Sequence, residues 1–354
     1  MSKSLGNSPD PLDLFEEYGT DAVRFGVMLM SPQGLDVLFS KERLEIGRNF
    51  MNKLWNACRF VDMNKPKGWN DKQLVTSREL DLADNWILNR LNRAIKNYNK
   101  QIDRFHFNES AKVLYDFVWN DFCDWYIEIA KTRFYSENSD SKVITYNICV
   151  KCIRIILPLL HPYTPFITEE LWSYFKEKNQ PDLIVSSWPE QKSEFDPEID
   201  SEMEVLQGII SSVRAIRSRM NIPPSKKIDL KIKCNSSQNN FIAQNSQLVI
   251  TLAKLECYEA SESMQKPPQS AAGIIHGMEL YVPLDGLVDL GKERSLLLKR
   301  KTKIEGLLNG IEKKLLNDNF INNAPEKVVD GEKEKEITLK DELEKISSNL
   351  DLLS

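Results

Sequence analysis

All seven tryptophans of this 354-residue chain fall at or before Trp188, and the rest of the chain is poor in aromatic residues. A large ring dominates whatever interior it joins, because it removes so much apolar area from water. A chain divided in this way cannot fold around one uniform core. It must build an aromatic-rich part first and a part of different construction afterwards. The boundary falls near 190–200, where SSWPEQKSEFDPEID is polar and carries Pro189 and Pro197. The length agrees with two or three domains.

The first part reads as helices. Asp13 to Tyr18 forms a short one, Gly19 stops it, and Asp21 caps the next, which runs through Val23, Phe25, Val27 and Met28. From Trp86 to Arg104 the apolar residues Ile87, Leu91, Ile95, Tyr98 and Ile102 keep a helical period. From Glu109 to Arg133, Ala111, Leu114, Val118, Phe122, Trp125 and Ile129 do the same, with Asn108 as N-cap. A further helix spans Ser141 to Leu157 and ends near Pro158. Thr164 and Pro165 open another through Leu171 and Phe175. Short connections between such helices predict an up-and-down bundle.

The second part mixes periods. A helix from Glu202 to about Met220 is stopped by IPPSKK. Ile228, Leu230 and Ile232 then alternate with polar residues, the period of a strand. A helix over Asn239–Leu252 and strands over Leu255–Ala260, Ala272–His276 and Glu279–Pro283 complete a small α/β unit. From Lys292 the pattern changes again. Leu297, Ile304, Leu308, Ile311 and Leu315 step by sevens, fours and threes, as do Leu339, Leu343, Ile346, Leu350 and Leu353. NDNFINNAP breaks the run between them, which predicts an antiparallel coiled-coil hairpin. The expected fold class is therefore mainly α. The expected parts are 1–43, a bundle over 44–200, a helix with the small α/β unit over 201–290, and the coiled-coil arm over 291–354.

Composition narrows the partners. The net charge of −5 gives no general attraction to phosphate, so any nucleic-acid reading must rest on where the cations cluster. Six cysteines are scattered, and only Cys149 and Cys152 form a CxxC, inside the apolar helical stretch NICVKCIRIIL. With no second pair nearby they read as buried thiols rather than a metal or redox site, and no metal is expected. Unpaired cysteines suit a reducing, cytoplasmic setting. No run reads as long and apolar enough to span a bilayer, and no signal-peptide pattern opens the chain. No membrane partner is expected.

Three features carry candidate chemistry. At the start, Ser2, Lys3 and Ser4 place one cation between two hydroxyls in a loop that Gly6 and Asn7 keep adaptable. Such a lysine helps most where negative charge builds up on a phosphate. In RNFMNKLWNACRF, beginning at Arg48, the residues Asn49, Asn52, Lys53 and Asn56 fall at helical spacings, with Phe60 one turn on. Phe50, Leu54, Ala57 and Val61 take the other side. Amides can read base edges and an aromatic ring can stack an unpaired base; the plain alternative is a solvent face with Phe60 packed in the bundle. Third, Arg90, Arg93, Asn97, Lys100 and Arg104 share the polar face of one helix. They form either a phosphate rail or a solubilising surface.

The motifs converge on a resemblance. MSKSLGN followed by P-L-D and Y-G-T-D-A-V-R-F resembles the KMSKS loop and following segment of class I aminoacyl-tRNA synthetases. SPQGLDVLFSKERLEIGRNFMNKLWNACRF is most similar to the valine enzymes of that class. FVWNDFCDWYIEIAK, LLHPYTPFITEELW, VRAIRSRMNIPPSKK and NFINNAPEKVV continue the likeness in the same order. The resemblance implies a C-terminal part that begins inside the loop, without its first lysine.

It implies further that Met1, Ser2, Lys3 and Ser4 touch ATP, with Lys3 catalytic on the phosphates and magnesium accompanying the nucleotide, in the full enzyme only. It makes the bundle an anticodon-binding domain and the partner a valine tRNA, bound by a monomer. It places Arg48, Asn49, Asn52, Lys53, Asn56 and Phe60 at the anticodon, and Arg90, Arg93, Lys100 and Arg104 on its stem. Arg214 and Arg217 fall near the stem, and Lys299, Arg300 and Lys301, with Lys303, where the arm meets the bent corner of the tRNA. Arg24 reads as structural, paired with an acid such as Asp21. The class also needs a His-x-Gly-His element. The three histidines, His106, His161 and His276, stand in FHFN, LHPY and IHGM, and none fits; aromatic packing is the expected role of the first two. The chain alone is therefore expected to be inactive in amino-acid activation and in proofreading. The competing readings are an isoleucine-enzyme fragment, a freestanding helical RNA-binding protein, and a coiled-coil scaffold with a protein partner.

Overall fold

The computed structural model describes residues 9–31, 34, 39–70, 80–191, 194–287, 290–316 and 326–352. Met1, Ser2, Lys3 and Ser4 lie outside the described residues. The chain divides into two compact units, Met1–Glu204 and Val205–Ser354.

In the first unit, α1 (Pro11–Tyr18) starts on a proline at its first position, with the Asp10 carboxylate accepting from the Leu12 N–H. Gly19 at φ 89° ends it and leads into α2 (Thr20–Met30). Then come α3 (Lys41–Met63) and α4 (Leu82–Ile102), the latter opened by a capping box between Asp81 and Asp84. A continuous helical stretch comes next: α5 (Phe107–Asp116), a π-helical segment (Phe117–Tyr126) and α6 (Ile127–Phe134). The helices α7 (Ser139–Leu160) and α8 (Pro165–Phe175) close the bundle, and α9 (Pro197–Arg219) starts at the unit's end.

The helical periods hold, with instructive exceptions. His106, not Asn108, precedes α5. Wider π turns shift the face that points inward, so Tyr126 is fully buried and Trp125 only half-buried. Pro158 does not end α7 but sits in its last turns, where Thr164 donates its hydroxyl to the Leu160 carbonyl. Among the described residues α7 is long and apolar enough to cross a membrane, contrary to expectation, yet most of it is buried inside the unit. Cys149 and Cys152 lie on it, both fully buried. Burial pushes their thiols up, that of Cys152 to about 12.

Asp21 does not cap its own helix. Its Oδ2 accepts from the Ile167 N–H at 2.7 Å, filling the first turn of α8, where the Thr164 hydroxyl makes no capping bond. Burial pushes the Asp21 carboxyl up, while the Ile167 N–H and the Arg24 charge oppose that shift. Arg24 donates to the main-chain oxygens of Tyr163 and Pro162 at 3.0 and 3.1 Å, so its anchors are carbonyls rather than Asp21. His106 and His161 likewise have polar partners, Gln101 at 3.3 Å and Thr168 at 2.8 Å, rather than aromatic ones.

In the second unit, β1 (Ile228–Lys233), β2 (Leu255–Ser261), β3 (Ser270–Ile275) and β4 (Met278–Pro283) form a sheet in the order β2-β1-β4-β3. β1 and β2 are parallel and the other pairs antiparallel. Two short helices, α10 (Ser236–Gln244) and α11 (Ser246–Ala253), make the parallel crossover; they break at Asn245 where one helix was expected. Ile228, Leu230 and Ile232 with Met278, Leu280 and Val282 are all buried. Close approach of α9 to β3 is set by two glycines: a Cβ on Gly273 would meet the Ser212 hydroxyl at 2.5 Å, and one on Gly208 the Ile275 side chain at 2.7 Å. Last come α12 (Leu290–Leu315) and α13 (Glu326–Leu352). Lys314 pairs with Glu332 at 3.5 Å and Lys340 with Glu312 at 3.3 Å, while Ile304, Leu308, Val329 and Ile346 are buried. The side chain of Leu297 and residue Leu353 lie outside what is described.

Candidate nucleic-acid interface

Helix α3 is amphipathic along its length. Leu44, Phe50, Leu54, Cys58 and Val61 are fully buried, with Met51 and Ala57 nearly so. That face is fixed by the Phe25–Phe50 stack, with ring centroids 4.7 Å apart and planes 12° from parallel. The opposite face therefore has one orientation, and it presents Asn49, Asn52, Asn56 and Arg59 to solvent. No hydrogen bond or ion pair ties these four side chains to another described residue. Each amide thus keeps a donor and an acceptor for a ligand.

The flanks of this row are aromatic. Lys53 sits 3.7 Å over the Trp119 ring, with its ammonium 2.5 Å from Asp124. Tyr115 stacks on Trp119 at 5.5 Å and leans on Phe50 at 5.2 Å. Phe60 is half-buried, edge-on to Phe134 at 5.8 Å with the Lys131 ammonium 5.9 Å from its centroid. Phe60 is thus packed against the bundle on one side and keeps part of its ring exposed. Arg48 is half-buried, its guanidinium 5.5 Å from the Tyr18 ring centroid.

The expected rail on α4 divides. Arg90 donates to Asp121 at 2.7 Å and to Asp200 at 3.0 Å. Burial pushes the Asp121 carboxyl up, against the pull of Arg90. Arg93 also reaches Asp200, at 3.2 Å, and lies 4.9 Å from the Phe195 ring centroid. Both arginines tie α4 to acids of the same unit, Arg90 half-buried and Arg93 still exposed. Lys100, in the last turn of α4, and Arg104, in the turn beyond the helix rather than on its face, are exposed and make no ion pair among the described residues.

In the second unit, Arg217 is buried and donates to the carbonyls of Lys254, Pro223 and Lys226. It closes the turns after α9 and α11, so its donors are engaged inside the unit. Arg214 is exposed, although it donates to the Leu252 carbonyl at 3.1 and 3.3 Å. On α12, Lys299 and Arg300 are exposed and Lys301 is half-exposed.

Sequence reasoning missed Tyr115, Trp119 and Arg59. Trp119 lies in the π-helical stretch, where a uniform 3.6-residue period does not reveal which face a residue takes, and Tyr115 lies in α5 just before it. Arg59 was legible, since it stands one turn after Asn56 on the same face.

Three family models match in succession. Residues 1–40 match the class I tRNA synthetases for isoleucine, leucine, methionine and valine. Residues 84–232 match the anticodon-binding domain of tRNA ligases, and residues 289–354 the valyl-tRNA synthetase tRNA-binding arm. The valine–tRNA ligase of Enterococcus faecalis is 40% identical over 98% of this chain and 39% of its own length. That of Oceanobacillus iheyensis is 38% identical over 99% of this chain and 40% of its own. That of Bacillus subtilis is 37% identical over 95% and 38%. The chain thus spans about two fifths of the length of these relatives. With matches running from its first residues through the arm that the valine enzymes carry, the chain belongs to the valyl-tRNA synthetase family and corresponds to a C-terminal part of it.

Proposed function

We propose that this chain is the tRNA-holding part of a valine–tRNA ligase, which joins valine to its tRNA with ATP. The observation that carries this reading is the uncommitted row Asn49, Asn52 and Asn56, fixed in direction by the buried face of α3 and flanked by Trp119 and Phe60. An anticodon loop offers such a row unstacked bases with free edges. Lys100 and Arg104 take phosphates of the stem below it. The parts divide as 1–43, 44–200, 201–290 and 291–354, the last an antiparallel coiled-coil hairpin laid against the tRNA corner through Lys299, Arg300 and Lys301. Met1, Ser2, Lys3 and Ser4 handle ATP and its magnesium only when the rest of the active site is present. The protein acts in the cytoplasm as a monomer.

Salt tests the arm. Replacing Lys299, Arg300 and Lys301 by Gln should weaken valine-tRNA binding and flatten the plot of log affinity against log salt. The slope should fall by about 1 for each phosphate contact removed. An unchanged slope would remove the arm from the interface. Pyrophosphate exchange with valine and ATP should be undetectable for the 354-residue chain alone; measurable exchange would refute the assignment of Lys3 to an incomplete site.

A further inference from the structure

Between α3 and α8 lies a pocket of about 300 Å³ that the amide row does not include. Its floor is Cys58, Leu171 and Phe175, all buried. Trp55, 36% exposed, and Tyr174, 51% exposed, stand as its two aromatic walls. Arg59 and Asp62, three residues apart on α3, hold the rim. Neither of these two side chains makes a hydrogen bond or ion pair with another described residue.

Lys53, Arg90, Arg93 and Arg217 are held by acids or carbonyls, whereas Arg59, like Lys100 and Arg104, has no such partner among the described residues, and of these three it alone lines this pocket. At the pocket, a fork of donors and a carboxylate acceptor stand side by side with no such partner. Flat apolar walls accept a ring by stacking. Arg59 can donate to a carbonyl or ring nitrogen at the edge of that ring, and Asp62 can accept from an amino or ring N–H beside it. The volume is at the small end for ligand pockets and suits one base. Asn52 and Asn56 lie within one turn of Trp55 on the same helix, so an occupant that belongs to a longer chain can run on to the amide row.

We propose that this pocket is a subsite for one unstacked nucleobase of a single-stranded RNA loop, with Trp55 as the stacking wall and Arg59 and Asp62 reading the base edge. The proposal rests on the anticodon reading of α3 and adds a site to it. A loop bound across Asn49–Asn56 would turn one base out into the pocket and leave its neighbours over the amides.

The test is an anticodon stem-loop of valine tRNA carrying 2-aminopurine at each loop position in turn. One position should be quenched on binding to the unaltered chain. Trp55→Ala should abolish that quench and weaken binding about tenfold, the range seen for loss of one base–aromatic stack. Trp55→Phe should restore most of the affinity, and Asn52→Ala should weaken binding while leaving the quench in place. Trp55 is on the surface, and circular dichroism should show Trp55→Ala as folded as its parent. Trp55→Ala binding within twofold of the parent, with every quench intact, would overturn the subsite and leave the anticodon reading standing. No stem-loop binding by the unaltered chain would defeat both. Displacement of the loop by an unrelated peptide, with no base quenched, would assign the pocket to a protein side chain instead.

Discussion

Gly47→Ala will destabilise the first unit by about 3 kcal/mol or more, the upper range for forcing a carbon into a packed interior. A Cβ at this position would stand 2.2 Å from the Ala22 carbonyl oxygen and 3.0 Å from its carbon. Across the same crossing, a Cβ on Gly26 would meet the Arg43 carbonyl oxygen at 3.0 Å. Helices α2 and α3 therefore touch backbone to backbone, and no side chain can rotate away to make room. Relief requires the helices to separate by about 1 Å, which would open the Phe25–Phe50 stack beside the crossing. Because the clash is with main-chain atoms, Ala22→Gly will not rescue the variant. Urea unfolding followed by tryptophan fluorescence measures this cleanly, since every tryptophan lies in the first unit. A loss under 1 kcal/mol, or rescue by Ala22→Gly, would contradict the close crossing.

Arg133→Met will cost about 3–5 kcal/mol, the usual consequence of leaving a buried charge without its partner. The guanidinium donates to Asp84 at 2.6 Å and to Asp81 at 2.5 Å, and reaches the Thr145 hydroxyl at 3.4 Å. Tyr126 donates to the same Asp84 oxygen at 2.6 Å. One arginine thus joins the end of α6 to the start of α4 and the middle of α7. Burial already pushes the Asp84 carboxyl up against the pull of Arg133 and Tyr126, so removing the cation leaves Asp84 protonated or hydrated. Adding Asp84→Asn to Arg133→Met should recover more than half of the loss, because the neutral amide no longer needs a counter-charge. If the double variant is as unstable as the single, packing rather than charge holds this corner.

Most of the fold was legible because its helices and strands bury faces of regular period. The alternation of Ile228, Leu230 and Ile232 pointed to β1 directly, and the aromatic boundary separated the two kinds of construction. What escaped were effects that act across the chain. Asp21 looked like a cap for its own helix, yet it caps α8, far away in sequence. The π-helical stretch moved Tyr126 inward in place of Trp125. The site divided along the same line. The direction of Asn49, Asn52 and Asn56 followed from the apolar period of α3. Whether an arginine faces solvent did not follow from any period, because it depends on which acids and carbonyls folding brings near. Arg90, Arg93 and Arg217 found such partners; among the described residues Lys100, Arg104 and Arg59 did not.

On the proposed function, α3 reads bases rather than offering only charge. The direct test of this is titration of the chain against a valine tRNA and the same tRNA with its anticodon replaced, at low and at high salt. Phosphate contacts weaken together as salt rises, whereas base contacts keep their preference. The native anticodon should bind more tightly at both salt concentrations, with Asn52→Ala much reducing the preference. Equal binding of the two tRNAs, falling in parallel with salt, would contradict it.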